Sequence, residues 1–222
     1  GRVEYAQNGG LIYTDFIDNS AGVDCSDHEV NCKILLNAVV AAGDMTLEQR
    51  NQLLMEMTDE IAKLVLYDNY CQTRTISIAA AHAQQELELH RRYIEELVRD
   101  CKLDRELEFL PDEKGLIERK ALGKGLTSPE IAVLLAYTKM WVKAELLEMH
   151  SLEEDYLTGI LESAFPKPLR GRFAKFMQHH SLRREIIATK ISNAMVNDMG
   201  ITFVFRLKAE IGADIASIAR AY

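Results

Sequence analysis

The chain has 222 residues, of which 48% are hydrophobic and 27% charged, and a formal net charge of −8. That length and apolar content suffice for a buried core in one large domain, or in one domain with part of another. The acidic balance speaks against a general nucleic-acid binder, which carries a basic surplus. No stretch of about 18 apolar residues marks a membrane span, and the first residues lack the charged-then-apolar pattern of a secretion signal.

Residues 1–18 are the strand-like part. GGLIYTDFID alternates loosely through Ile12, Tyr13, Thr14, Phe16 and Ile17, between Gly9-Gly10 and Asp18-Asn19. Beyond residue 25 the period becomes helical. Ser26 and Glu29 have the spacing of a capping box ahead of Val30, Ile34, Leu35, Ala38 and Val39, and Gly43 stands where that helix should stop. Thr46 and Gln49 repeat the box before Leu53, Leu54, Met57, Ile61, Leu64 and Val65. One long helix is predicted over 72–99, with Ile76, Ala80, Ala83, Leu87, Ile94 and Leu97 on related faces.

KLDRELEFLPDEKG then reads as a connector, because Pro111 ends any helix, and a short helix is predicted over 113–122. Gly123 and Gly125 punctuate. Thr127 and Glu130 are box partners for the next helix, with Pro129 in its first turn, where a missing N–H costs little. Further helices are predicted over 152–164, 169–179 and 182–198, the last closed by Gly200. ITFVFRLKAE and ADIASIARAY complete the chain as helices, with a strand as the alternative for the former. The fold expected is therefore mainly α, a multi-helix domain preceded by a short strand and loop.

The four cysteines, Cys25, Cys32, Cys71 and Cys101, form no CxxC pair and no disulfide ladder. Free thiols are the plain reading, although His28 lies between Cys25 and Cys32. No metal site is expected. Gly123-Lys124-Gly125 precedes a helix without a strand leading into it, a weak signal for phosphate binding. His179 and His180 point about 100° apart on a helix, so a shared ion is not expected. His82 and His90 read as surface or packing residues and Trp141 as core. Glu86, Glu88, Glu95 and Glu96 with Arg91, Arg92 and Arg99 mark an exposed helix face. Arg170, Arg172, Arg183 and Arg184 make one segment locally basic, read as a solvated face with docking of an acidic partner as the alternative.

The turn at residues 19–26 is the segment with binding character. Ser20, Ala21 and Gly22 permit close approach by a planar ring or a phosphate, and Ser26 is placed as the cap of a helix N-terminus, where carboxylates are favoured. A simple strand-to-helix turn with a capping serine has the same pattern.

TDFIDNSAGVDCSDHEVN resembles the segment that ends the nucleotide-binding domain of the large bacterial NAD-specific glutamate dehydrogenases. The resemblance continues through GLTSPEIAVLLAYTK, LRREIIATKISNAMVNDMGITFVFRL and GADIASIARAY, and so covers nearly the whole chain. A more distant likeness joins Asn19, Ser20, Ala21, Gly22, Val23, Ser26 and Glu29, without a gap, to a motif of the smaller hexameric glutamate dehydrogenases.

This resemblance implies a C-terminal part of a larger enzyme. Residues 1–25 would be the end of a Rossmann-type catalytic domain, its last strand and substrate loop, and residues 26–222 a helical C-terminal domain. It implies oxidation of L-glutamate to 2-oxoglutarate and ammonia, with NAD as cofactor bound mainly outside this chain. Ser26, Gly22 and Val23 would face the substrate, with Ser26 holding its side-chain carboxylate, while Asn19 and Ser20 would face the cofactor. Ala21 departs from the smaller enzymes, which carry glycine there, and Asp24, Asp27 and His28 have no counterpart in them and no assigned chemistry. The lysine and aspartate of the reaction and the Gly-rich cofactor turn are not found in this chain, so no catalytic residue is assigned and the isolated piece is expected to be inactive. It is expected in the cytoplasm, as a homo-oligomer, with the rest of its own polypeptide as partner and without nucleic acid or membrane. A second reading takes residues 44–222 as an interaction domain that sets oligomer or interdomain contacts. Residues 1–25 are expected to be displaced or disordered where their strand partners are missing.

Overall fold

A computed structural model describes residues 1–149, 152 and 157–222. The described residues form α-helices with short 3-10 segments, as the helical periodicity predicts beyond residue 25, and contain no strand. In chain order the helices are α1 (Arg2–Gln7), α2 (Asp15–Asp18), α3 (Ser20–Ala41), α4 (Leu47–Glu56), α5 (Thr58–His82), α6 (Leu87–Cys101), α7 (Glu113–Ala121), α8 (Ser128–Leu147), α9 (Thr158–Ser163), α10 (Ala174–Gln178), α11 (Arg183–Met199), α12 (Phe203–Ile211) and α13 (Ile215–Ala221). The predicted helix over 152–164 falls partly outside the described residues. None of the described helices is long and apolar enough to cross a membrane.

The strand expected within residues 1–18 is replaced by α1 and α2. An extended segment without a neighbouring strand leaves its N–H and C=O groups unpaired, whereas helical turns satisfy them internally. Arg2 ties the segment together. Arg2 donates to the Tyr13 carbonyl at 2.8 Å and to Asp18 at 2.6 Å, and it pairs with Asp15.

The chain divides into two compact units. The first comprises Gly1–Asp18, Cys71–Leu146 and Ser192–Tyr222. Its core is built on α6, whose Leu87, Tyr93, Ile94 and Leu97 form one buried stripe. Tyr93 packs its ring 5.1 Å from that of Phe205 and places its hydroxyl 2.5 Å from Thr138 Oγ1. Trp141 is a core residue, as its spacing predicts, with Lys208 Nζ 4.9 Å from its ring. Part of the predicted charge pattern of α6 is present: Arg91 donates to Glu88 and Glu95, and Arg99 to Glu96 and also to Asp100, while Arg92 lies over the Phe205 ring. His90 falls on the buried stripe of the same helix and is fully enclosed.

Glu130, in the first turn of α8, receives both terminal nitrogens of Arg119 at 2.7 Å, and its carboxylate is 1% exposed. The same carboxylate accepts the Thr127 N–H and hydroxyl, each at 2.7 Å. This is the returning half of the predicted box, now joined to a buried ion pair.

The helix predicted over 72–99 is interrupted: α5 ends at His82 and α6 begins at Leu87. The apolar period runs across the gap unbroken, so nothing local announces it. The cause lies in the loop before α8. A Cβ on Gly125 would stand 2.2 Å from the Ala83 carbonyl carbon and 2.5 Å from the Gln84 nitrogen, so the loop backbone lies directly on the turn. That contact accounts for Gly125, and Glu130 already occupies the Thr127 donors nearby. The Gly123-Lys124-Gly125 segment is thus a packing element in this fold.

The second unit comprises Asn19–Tyr70 and Leu147–Ile191. Its core includes Cys32, Leu35, Leu36 and Val39 of α3 with Met57, Ile61, Phe165, Met177 and Ile187. The predicted box at Thr46 and Gln49 is complete, each side chain meeting the other's backbone N–H. The basic segment is not a free charged face. Arg170 donates to the Phe165 and Ser163 carbonyls, Arg183 to Leu152 and Arg184 to Leu147 and Met149, so three of its guanidinium groups serve as anchors for irregular backbone. His180 is likewise structural: its Nδ1 accepts the Leu182 N–H at 3.0 Å, which fixes the proton on Nε2 facing the Asn31 carbonyl at 3.1 Å. Burial holds its pKa below the ordinary value.

Candidate functional site

The segment with binding character forms the first turns of α3. The helix starts at Ser20, with Asn19 in the cap position, six residues earlier than the predicted start. Nothing in 20–25 breaks a helix outright, and the inward side chains of these turns find partners on α5. Ser20 is buried and accepts a hydrogen bond from Asn69 Nδ2 at 2.8 Å. Two turns on, His28 Nε2 reaches Asp68 Oδ2 at 3.3 Å.

Ser26 is consequently an exposed residue within the helix, not its cap, and the proposed box with Glu29 does not form. No side chain caps this helix start. Asn19, Gly22, Val23 and Ser26 recur at helical spacing along one exposed face, with Val23 64% exposed. Around Gly22 the nearest atom to an added Cβ is Asn19 Oδ1 at 3.9 Å, so the fold leaves open space there. Ser20 alone among the predicted residues turns inward.

The opposite face of the same turns holds Asp24, His28 and, from α5, Asp68. His28 Nε2 lies 3.8 Å from Asp24 Oδ1 and 3.3 Å from Asp68 Oδ2, and one donor atom from each residue lies within 4.8 Å of the other two. Burial raises the Asp24 carboxyl above its ordinary pKa, with the negative charge of Asp68 adding to it, while His28 and Lys190 pull the other way. Sequence reasoning singled out Asp24, Asp27 and His28 without a role. Asp68 was invisible to it, because a partner forty residues away leaves no local trace.

The four cysteines are free: Cys25 is exposed, while Cys32 is buried and its thiol is pushed up to about 12 by that burial. His82 caps the Ile78 carbonyl on an exposed surface, and His179 is exposed.

A family model described as the catalytic domain of bacterial NAD-glutamate dehydrogenase matches residues 1–79, and one described as the C-terminal part of glutamate dehydrogenase matches residues 123–222. The NAD-specific glutamate dehydrogenase of Pseudomonas aeruginosa is 51% identical over 221 residues. Those of Halomonas elongata and Mycobacterium tuberculosis are 47% and 45% identical over 222 residues. In each case the whole of this chain is matched, and it spans 14% of the relative's length.

Proposed function

Because the chain belongs to the family of large bacterial NAD-specific glutamate dehydrogenases, we propose that it works as the C-terminal part of such an enzyme and supplies one wall of the glutamate pocket. The parent reaction is oxidation of L-glutamate to 2-oxoglutarate and ammonia, with hydride passing to NAD in the cytoplasm. Residues 1–25 close the nucleotide-binding domain, where neighbouring strands of the parent give residues 9–18 their partners, and residues 26–222 form the helical part. The catalytic-domain match extends over the start of that part, to residue 79.

The observation that carries the site is the outer face of α3. Glycine within a helix costs roughly 1 kcal/mol relative to alanine, yet nothing in this fold requires Gly22 to lack a side chain. Space kept free beside exposed Val23 and Ser26 suits a small ligand held by the rest of the polypeptide. Ser26 contributes a hydroxyl to the glutamate side-chain carboxylate, Gly22 and Val23 line the pocket, and Asn19 stands toward NAD. Ser20 serves by fixing the turn through Asn69.

In the full-length enzyme, Ser26→Ala should raise the glutamate KM by roughly 10- to 100-fold, since a hydrogen bond to a charged carboxylate is worth about 1.5–3 kcal/mol, and should leave the NAD dependence near normal. Steady-state kinetics with each substrate varied in turn is the measurement. Unchanged glutamate kinetics would remove Ser26 from the pocket.

A specific feature also favours an interaction role for the helical part. Leu107, Phe109, Ile117 and Leu122, on and beside α7, are each more than two-thirds exposed. Sedimentation velocity of the chain should show self-association at micromolar concentration, and a monomer throughout would count against homo-oligomer contacts through this segment.

A further inference from the structure

We propose that Asp24, His28 and Asp68 form a binding site for one divalent transition-metal ion, with Zn2+ the best-matched occupant. The proposal is independent of the dehydrogenase reading, which gives none of these three residues a role. It rests first on convergence. Asp24 and His28 are one turn apart on α3, Asp68 projects from α5, and the carboxylate oxygens meet at a single imidazole nitrogen. Side chains mounted on two helices are held more precisely than loop residues.

The distances fit a tetrahedral ion. Metal–ligand bonds of about 2.0–2.1 Å give ligand-to-ligand edges of roughly 3.3 Å, and the two contacts of Nε2 measure 3.3 and 3.8 Å. The third pair lies within 4.8 Å, so a small change of one carboxylate rotamer completes the triangle. Three protein ligands leave the fourth position to water. An imidazole with two carboxylates is the borderline donor set that zinc and cobalt accept, whereas magnesium and calcium favour oxygen alone.

Charge points the same way. Two half-buried carboxylates, with Asp27 beside them, are faced by His28 and Lys190. A divalent ion held at the imidazole nitrogen would place two positive charges between the carboxylates.

The test is calorimetric titration of the full chain with Zn2+, in a Cys25→Ser background so that the exposed thiol does not compete. The expected result is one saturable equivalent with a micromolar Kd, weakened at least roughly 10-fold by Asp68→Asn and by His28→Gln, and unaffected by Asp27→Asn. Asp68→Glu keeps a carboxylate ligand and should retain more affinity than Asp68→Asn. Cobalt(II) should give the visible absorption of a four-coordinate ion and lose it when zinc is added. The proposal fails if the wild type shows no saturable binding. It also fails if Asp68→Asn binds as tightly as wild type, or if Asp68→Glu and Asp68→Asn lose binding equally.

Discussion

Glu130→Ala is expected to lower the stability of the chain by about 3–5 kcal/mol, the usual cost of stranding one member of a buried ion pair. The fork of Arg119 meets both oxygens of Glu130 at 2.7 Å, and the carboxylate also takes the Thr127 N–H and hydroxyl. Removing it leaves a guanidinium in a site where it is 11% exposed and unpairs two further donors. Since whole domains hold only about 5–15 kcal/mol, the variant should lose a large fraction of its stability. The double variant Arg119→Met/Glu130→Leu removes both charges and should recover the part of the loss due to the stranded guanidinium, with the Thr127 donors still unpaired. Urea unfolding of the three proteins measures this, and a single-variant loss below about 1 kcal/mol would show that the pair is not sealed from water.

The second large effect concerns acid. His90 is fully enclosed, neither ring nitrogen has a hydrogen-bond partner among the described residues, and Glu86 lies 3.9 Å away. Burial lowers its pKa to about 4. Well above about pH 6.5 the imidazole is neutral in both states and adds no proton-linked cost. As the pH falls below that value, the unfolded chain binds a proton that the folded protein refuses until about pH 4. Stability contributed by the neutral ring is therefore present above the unfolded pKa and declines through this window. The loss between pH 7 and pH 5 comes to about 2 kcal/mol, approaching about 3 kcal/mol near pH 4. The difference in unfolding free energy between wild type and His90→Leu, followed by urea titration across that range, should change by this amount. A pH-independent difference would mean that the ring finds water or a partner when protonated.

The helical character of the chain could be read from its sequence wherever caps and periodicity agreed, as at Thr46–Gln49, Pro111 and Gly200. The failures have particular causes. Residues 9–18 alternate as a strand does, but a strand is a relation between two segments, and the sequence of one cannot supply the other. Ser26 had the spacing of a cap, yet the helix began earlier because Ser20 and His28 find partners on α5. The outward face of the candidate site was legible through its resemblance to a family. The inward face needed Asp68, which only folding brings near.

The turn between α5 and α6 shows where such instructions are stored. A contact in which two stretches of backbone touch, with no side chain between them, buries little apolar surface and so adds little to stability. Its content is positional: it states where one helix must stop and the next begin. That statement is carried by the missing side chain of Gly125 and not by the residues of the turn itself. Selection on this protein should consequently hold position 125 fixed while Gln84 and Gln85 drift, so that the boundary between two helices is inherited through a loop that belongs to neither.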